Sequence, residues 1–387
     1  MKKVLYVFLI FSDFIFELFK IKRNKIVIST FSPEVYCDNS KYLFEYLSKK
    51  KMDVYWFTNS IKIKNYLKKK KFKYISYSNI FHLLKVALQT KIVIDSGSNY
   101  FNCFNFFDKK KIIKISLGHG MGNKMVVAKY ISTKNYEYYE KFSYVNYTSK
   151  YSIKHIAKGK YKLPDRKILN FMYPRVTALR NNEKINKKKE IKKIFFNYKK
   201  EKVIFYTPTW RPYKYNLPIL ELDGFKIEKF NSFLKKNNLI FFFSVHNAVI
   251  PIITNKLFDQ SNIIFIDRKK LPFFDTTYFL NFVDLLINDC STTSTEFALL
   301  KKPQLFLFPD YKRYLKIKGF VHDYFNELPG KFINNTKKLE IEIINYINKE
   351  KKYKIEFKDK INDNLLKYYD NKNLDSNKKF YQFIKTI

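Results

Sequence analysis

From residue 24 onward, short unbroken apolar runs alternate with longer segments whose apolar positions recur every three or four residues. The runs "NKIVIST" (24–30), "DVYWFT" (53–58), "KYISYS" (73–78), "KIVID" (91–95) and "KIIKISL" (111–117) read as strands. Runs with no polar alternation fit strands buried on both faces of a parallel sheet. Between them, "KYLFEYLSKK" (41–50), "IKIKNYLKKK" (61–70) and "IFHLLKVALQT" (80–90) predict helices, the first capped by Asn39 or Ser40. A second series follows: "VIFYTPT" (203–209), "LIFFFSVH" (239–246), "IIFID" (263–267), "DLLIND" (284–289) and "PQLFLF" (303–308).

Two successive strand–helix series predict an α/β chain of two Rossmann-like, doubly wound domains facing a cleft, the GT-B-like architecture. In such sheets the ligand sits beyond the carboxyl ends of the strands. The expected boundaries are 23–180 for the first domain and 196–340 for the second. The polar stretch 181–195 would link them, and 341–387 reads as a lysine-rich helical tail. In residues 1–22, Phe8, Phe11, Ile15 and Phe19 fall at helical spacing, which predicts an amphipathic helix, lying in a membrane interface or buried as the first helix of the fold. Asp13 and Glu17 interrupt the apolar run and no small-residue cleavage site follows, so neither a bilayer span nor a cleaved signal is expected.

Composition changes this picture in two ways. Lys and Arg number 75 against 34 Asp and Glu, a formal charge of +41. That excess calls for an anionic partner (nucleic acid, an anionic membrane surface or a phosphate-rich substrate) or reflects compositional drift, since Lys, Asn, Ile, Phe and Tyr are inflated together. Lysine runs such as "KKKKFK" (68–73) come with no recognition motif, so nucleic acid is not expected. Cys37, Cys103 and Cys290 are scattered without metal-ligand spacing, which fits a reducing compartment and no protein-held metal. Substrate phosphates are the remaining route for a divalent ion. Neither a dinucleotide fingerprint nor a P-loop is present.

Candidate chemistry gathers at predicted strand ends. In "NDCSTTSTEFALL" (288–300), five hydroxyl residues stand together where a strand gives way to a helix. One Ser or Thr caps a helix; five suggest a phosphate site in which Ser291, Thr292 and Thr293 supply donors. His119 lies between Gly118 and Gly120 after the strand "KIIKISL", with Lys124 following as an anion or acceptor contact. His246 ends "LIFFFSVH" in the second series. A pair of histidines across one cleft suits general acid–base transfer. Thr209 and Arg211 in "FYTPTWRP" stand at a third strand end, where an Arg can fork onto a phosphate. His82, His155 and His322 lack such settings.

Taken in order, "LGHGMGNK", "YTPTWR", "VHN", "DLLINDCSTTSTEFALLKKPQLFLFPD" and "GFVHDYFNELPG" resemble the CDP-glycerol glycerophosphotransferases of teichoic-acid and capsule synthesis. The resemblance, over roughly 25–330, implies a GT-B fold in which the first domain is the acceptor side, the second binds the nucleotide donor, and an acceptor hydroxyl attacks the β-phosphorus of CDP-glycerol as CMP leaves. It makes His119 the base and His246 the group on the pyrophosphate or leaving phosphate. Arg211, Ser291, Thr292 and Thr293 would then hold phosphates, with Glu296 near the nucleotide. It further implies no protein-bound cofactor, a lipid-linked or polysaccharide acceptor, and a peripheral place on the cytoplasmic face of the membrane. Gly118, Met121-Gly122, Asn247 and Lys318 depart from the family pattern, which keeps CDP-ribitol open as donor. The alternative is a GT-B glycosyltransferase using a nucleotide-sugar.

Overall fold

A computed structural model describes residues 22–96, 112–120, 141–179, 185–209, 211, 213, 217–245, 260–268, 270–317, 325–369 and 375–387. The expected N-terminal amphipathic helix, His246 and Lys124 lie outside them.

The described residues form two sheets in which every pairing is parallel. The first contains β1 (Lys25–Ser29), β2 (Val54–Phe57), β3 (Tyr74–Ile75), β4 (Thr90–Asp95), β5 (Ile113–Ser116), β6 (Tyr144–Tyr147) and β7 (Ile168–Asn170), in the order β3-β2-β1-β4-β5-β6-β7. The second contains β8 (Lys202–Thr207), β9 (Leu239–Phe243), β10 (Ile263–Phe265), β11 (Leu285–Asn288), β12 (Gln304–Leu307) and β13 (Lys331–Ile333), in the order β10-β9-β8-β11-β12-β13. In each sheet the order reverses once, between β1 and β4 and between β8 and β11. Such a reversal opens a crevice at the carboxyl ends of the flanking strands. The α/β, two-sheet reading of the sequence therefore holds. β6, β7 and β13 were not among the predicted strands, and only two residues of "KYISYS" pair.

Connecting helices include α1 (Asp38–Lys49), α2 (Ile61–Lys69) and α3 (Ile80–Leu88) in the first half. α4 (Lys187–Lys192) follows in the stretch expected as a linker, with Ile191 buried against the second sheet. α5 (Ile227–Lys236), α6 (Thr276–Phe279), α7 (Thr293–Ala298) and α8 (Tyr311–Ile317) belong to the second half. Leu43 and Leu47 of α1 pack on Ile26, Ile28, Trp56 and Ile94; Phe230 and Leu234 of α5 pack on Phe241 and Phe243. Burying one such side chain stabilises by about 1.5–3 kcal/mol.

The C-terminal segment is α9 (Thr336–Ile347), α10 (Glu350–Glu356), α11 (Lys358–Tyr368) and α12 (Ser376–Thr386). It is helical as expected, and it is part of both cores. Tyr346 and Tyr353 sit in the second-sheet core. Tyr368 joins Tyr147 and Tyr173, and Phe380 and Ile384 of α12 complete the first-sheet core. The Thr148 hydroxyl donates to the Tyr368 carbonyl at 2.6 Å. The tail thus packs on both halves of the chain. Among the described residues no helix is long and apolar enough to cross a membrane.

Candidate active site

The site is built where the end of β5 and the start of α1 meet α7. Sequence reading placed a cap at Asn39 or Ser40, but α1 already begins at Asp38, with Cys37 in the cap position. Neither side chain caps the helix. The Asn39 amide donates to the Gly118 carbonyl at 2.9 Å and its oxygen accepts the Arg175 backbone N–H at 3.1 Å. Ser40 Oγ donates to Ser96 Oγ at 2.8 Å. Asp38 has φ +67°, in the left-handed region that Asp tolerates better than most residues. This conformation belongs to the residue that meets His119.

His119 Nδ1 lies 2.6 Å from Asp38 Oδ2. The His119 side chain is 55% exposed, whereas Asp38 is 4% exposed. With Nδ1 held as donor to the carboxylate, the Nε2 lone pair is the ring's basic atom. The edge of Phe31 packs on the ring at 5.8 Å between centroids. Gly118, at φ +76°, turns the chain into this loop; a Cβ there would stand 3.0 Å from Tyr173 and 3.1 Å from the Asn146 carbonyl. A larger residue at 118, as the family pattern has, requires this loop to follow another path.

Arg175 carries the site across to the second half. Its guanidinium pairs with Asp38 and Glu296, and Nη2 donates to the His119 carbonyl at 2.8 Å. Burial opposes the charge on both carboxylate and guanidinium, yet their mutual attraction outweighs it. Asp38 is held well below, and Arg175 well above, its ordinary titration range. Sequence reading did not select Asp38, Arg175 or Arg268, all of which line the cleft with His119. Asp38 stands in a predicted loop and Arg175 in "FMYPRVTAL" (171–179), where neither carries a local signal of its partners.

The hydroxyl cluster divides. Thr292 and Thr293 line the cleft beside His119, while Ser291 Oγ donates to Thr293 Oγ1 at 3.1 Å. Gly120 packs so closely on this turn that a Cβ would lie 2.6 Å from Thr292 Oγ1. His119 and the Ser/Thr turn, 173 positions apart between 119 and 292, therefore meet in one cleft. Ser294 and Thr295 point inward, to Gln304 and to the Thr292 carbonyl.

Three predicted residues stand differently from expectation. Glu296 lines the cleft, but its carboxylate is taken by Arg175 and by the Thr277 hydroxyl at 2.7 Å. Arg211 does not reach into the cleft: its side chain is wholly enclosed. Nε and Nη2 fork onto Asp310 at 2.7 and 2.9 Å, and Nη1 donates to Asp289 at 2.6 Å and the Thr209 carbonyl at 2.8 Å. Its guanidinium packs on Phe308 and Tyr314 at 4.7 and 5.1 Å. Thr209 in turn directs both its N–H and its hydroxyl at Asp289. Thr209 and Arg211 brace the exits of β8, β11 and β12, so they hold the hydroxyl turn in place from behind. Among the described residues no group of His, Cys, Asp or Glu has the arrangement of a metal site.

The sequence matches the family model for CDP-glycerol:poly(glycerophosphate) glycerophosphotransferase over residues 10–384. The chain belongs to that family. It is 28% identical over 207 residues to the teichoic acid poly(glycerol phosphate) polymerase of Bacillus spizizenii, covering 51% of this chain and 47% of that one. It is 27% identical over 276 residues to the teichoic acid glycerol-phosphate primase of Bacillus subtilis, covering 68% of each. The chain thus spans about half the length of the polymerase it matches. Among solved structures, the wall teichoic acid polymerase TagF superposes with a TM-score of 0.73 at 20% identity, over 95% of this chain and 89% of that one. The UDP-GlcNAc 2-epimerase of Methanocaldococcus jannaschii superposes with a TM-score of 0.52 at 14% identity, over 94% of this chain and 100% of that one. These likenesses establish the fold, two Rossmann-type sheets about a cleft; membership of the glycerophosphotransferase family rests on the sequence.

Proposed function

We propose that this glycerophosphotransferase-family chain transfers glycerol phosphate from CDP-glycerol to a hydroxyl of a growing or lipid-linked polymer, releasing CMP. The observation that carries the proposal is the His119–Asp38 pair set against the Thr292–Thr293 turn inside one cleft. His119 Nε2 accepts the proton of the acceptor hydroxyl as its oxygen bonds to the β-phosphorus. The bond from that phosphorus to the bridging oxygen breaks, and the electron pair leaves with CMP. Asp38 fixes the imidazole tautomer and balances the imidazolium that forms. The hydroxyls of Thr292 and Thr293 face the phosphates, with Ser291 supporting Thr293 from outside the cleft, since charge neutralisation is the main demand of phosphoryl transfer. His246 is assigned to the leaving phosphate, and Lys124 to an anion or acceptor contact, on sequence alone.

Membership of the family supports the donor, and a teichoic-acid primase and polymerases among the relatives support a polyol-phosphate polymer as product. CDP-ribitol is the second donor to test, because ribitol-phosphate polymerases are also relatives. A charge of +41 suits peripheral attachment to an anionic membrane on the cytoplasmic side, each nearby cation adding about 1 kcal/mol. The test is CMP release from CDP-glycerol, CDP-ribitol and nucleotide-sugars with a lipid extract as acceptor. CMP from CDP-glycerol that disappears in His119→Ala supports the reading. Turnover of a nucleotide-sugar alone replaces it with glycosyl transfer.

A further inference from the structure

Two guanidinium groups line the cleft, and their surroundings differ. Arg175 is committed to two carboxylates. Arg268, just beyond β10, is held by neutral oxygens: Nε donates to Ser244 Oγ at 3.1 Å and Nη2 to Thr276 Oγ1 at 2.7 Å. Ser244 follows β9 and Thr276 opens α6, so two ordered elements aim one fork. A guanidinium carries five N–H donors; Nη1 of Arg268 has no acceptor among the described residues.

No carboxylate among the described residues is in ion-pair contact with this cation. Asp38 is paired with Arg175 and His119, and the carboxylate of Asp275 lies 3.6 Å from Lys41. Burial accordingly weakens the hold of Arg268 on its proton, with Cys37, Asp275 and Asp38 offsetting this only from a distance. The Arg268 side chain is half-buried, and a cation partly withdrawn from water with no carboxylate on it gains from an incoming anion. Its position beside Thr292, Thr293 and His119 offers a place where an anion would restore the balance.

We infer that Arg268 is the anion-holding group of the cleft and takes the diphosphate of the nucleotide donor, the role that the sequence motif suggested for Arg211. A planar fork with free N–H groups matches two phosphate oxygens, and an ammonium does not. Identifying the anion as the donor's diphosphate rests on the proposed function; an anion subsite at Arg268 does not.

The experiment is calorimetric titration of the full chain with inorganic pyrophosphate, alongside steady-state CMP release from CDP-glycerol. Arg268→Gln is expected to weaken pyrophosphate binding at least tenfold, with a melting temperature close to that of the parent. It should also raise the KM for the donor by a similar factor and leave the KM for the acceptor unchanged, a split that a general loosening of the loop would not give. Arg268→Lys, which keeps the charge, should fall between the two and carries the test if the Gln variant does not fold. Pyrophosphate binding by a folded variant at parental affinity, or no binding by the parent, overturns the inference. Arg268-dependent pyrophosphate binding without CMP release would keep the subsite and remove CDP-glycerol as its occupant.

Discussion

Asp38 Oδ2 stands 2.6 Å from Nδ1 of His119, 81 positions away in the chain, and it approaches from the first residue of α1. An acid that orients a histidine contributes by fixing the tautomer, and replacing it by an amide leaves the shape and loses that function. Asp38→Asn is expected to lower kcat for CMP release by about 10²-fold or more while changing the donor KM little. Because Asp38 also pairs with buried Arg175, a loss of stability of about 3–5 kcal/mol accompanies it. A folded Asp38→Asn protein with parental kcat would end the case for the dyad.

Arg211 is expected to behave as a structural residue. Its enclosed guanidinium joins Asp289 and Asp310, and replacing it by Lys leaves the fork onto Asp310 unfilled. Arg211→Lys should destabilise the chain by about 3–5 kcal/mol, read as a shift in the urea midpoint. Restoring the fold with a stabilising osmolyte should restore donor KM, whereas Arg268→Gln should not respond to the osmolyte.

These two arginines show where sequence reading succeeds and where it stops. The strands of both sheets were legible because a parallel strand buried on both faces is an unbroken apolar run, as in "KIVIS" and "LIFFF". β6 reads "YVNY" and β7 "ILN", too short or too polar for that signal, and each is held by its neighbours in the sheet. Arg211 announced itself through its motif, but its partners lie 78 and 99 positions away, so its inward direction could not be read locally. Arg175 is engaged by residues 137 and 121 positions distant and had no local signal at all. Ligand-facing and fold-bracing polar residues look alike until the distant partners are placed.

Acid should loosen the cleft before it unfolds the sheets. Burial opposes ionisation of Asp38 and Asp310, but Arg175 and His119 hold the first, and Arg211 and the Tyr213 hydroxyl the second, below their ordinary range. A folded pKa below the unfolded one means that the unfolded chain binds more protons in the interval between them. The stabilisation is therefore complete above about pH 4 and is lost as pH falls through that value toward the folded ones. Urea midpoints measured from about pH 6 to pH 3 should fall for the parent. Asp310→Asn should start lower and lose less over the same interval; equal losses would remove Asp310 from the account.

The hydroxyl turn gives the sharpest separation of ligand binding from folding, because adjacent residues face opposite ways. Thr292 and Thr293 line the cleft, and Ser291 Oγ already donates to Thr293 Oγ1, which directs the Thr293 proton outward to an acceptor such as a phosphate oxygen. Replacing both by Ala removes two donors from the cleft without leaving a buried protein group unpaired. The expected result is a donor KM raised about tenfold, on the order of 1.4 kcal/mol, with a melting temperature near the parent's. Ser294 instead donates to Gln304 Oε1 at 2.8 Å, with both residues buried. Ser294→Ala strands that oxygen and should cost about 1–3 kcal/mol of stability with little change in donor KM. Kinetics and melting of the two proteins, measured side by side, test the division directly. If Ser294→Ala raises the donor KM as much as the Thr292/Thr293 replacement, the turn acts as one rigid cap and its hydroxyls do not touch the donor.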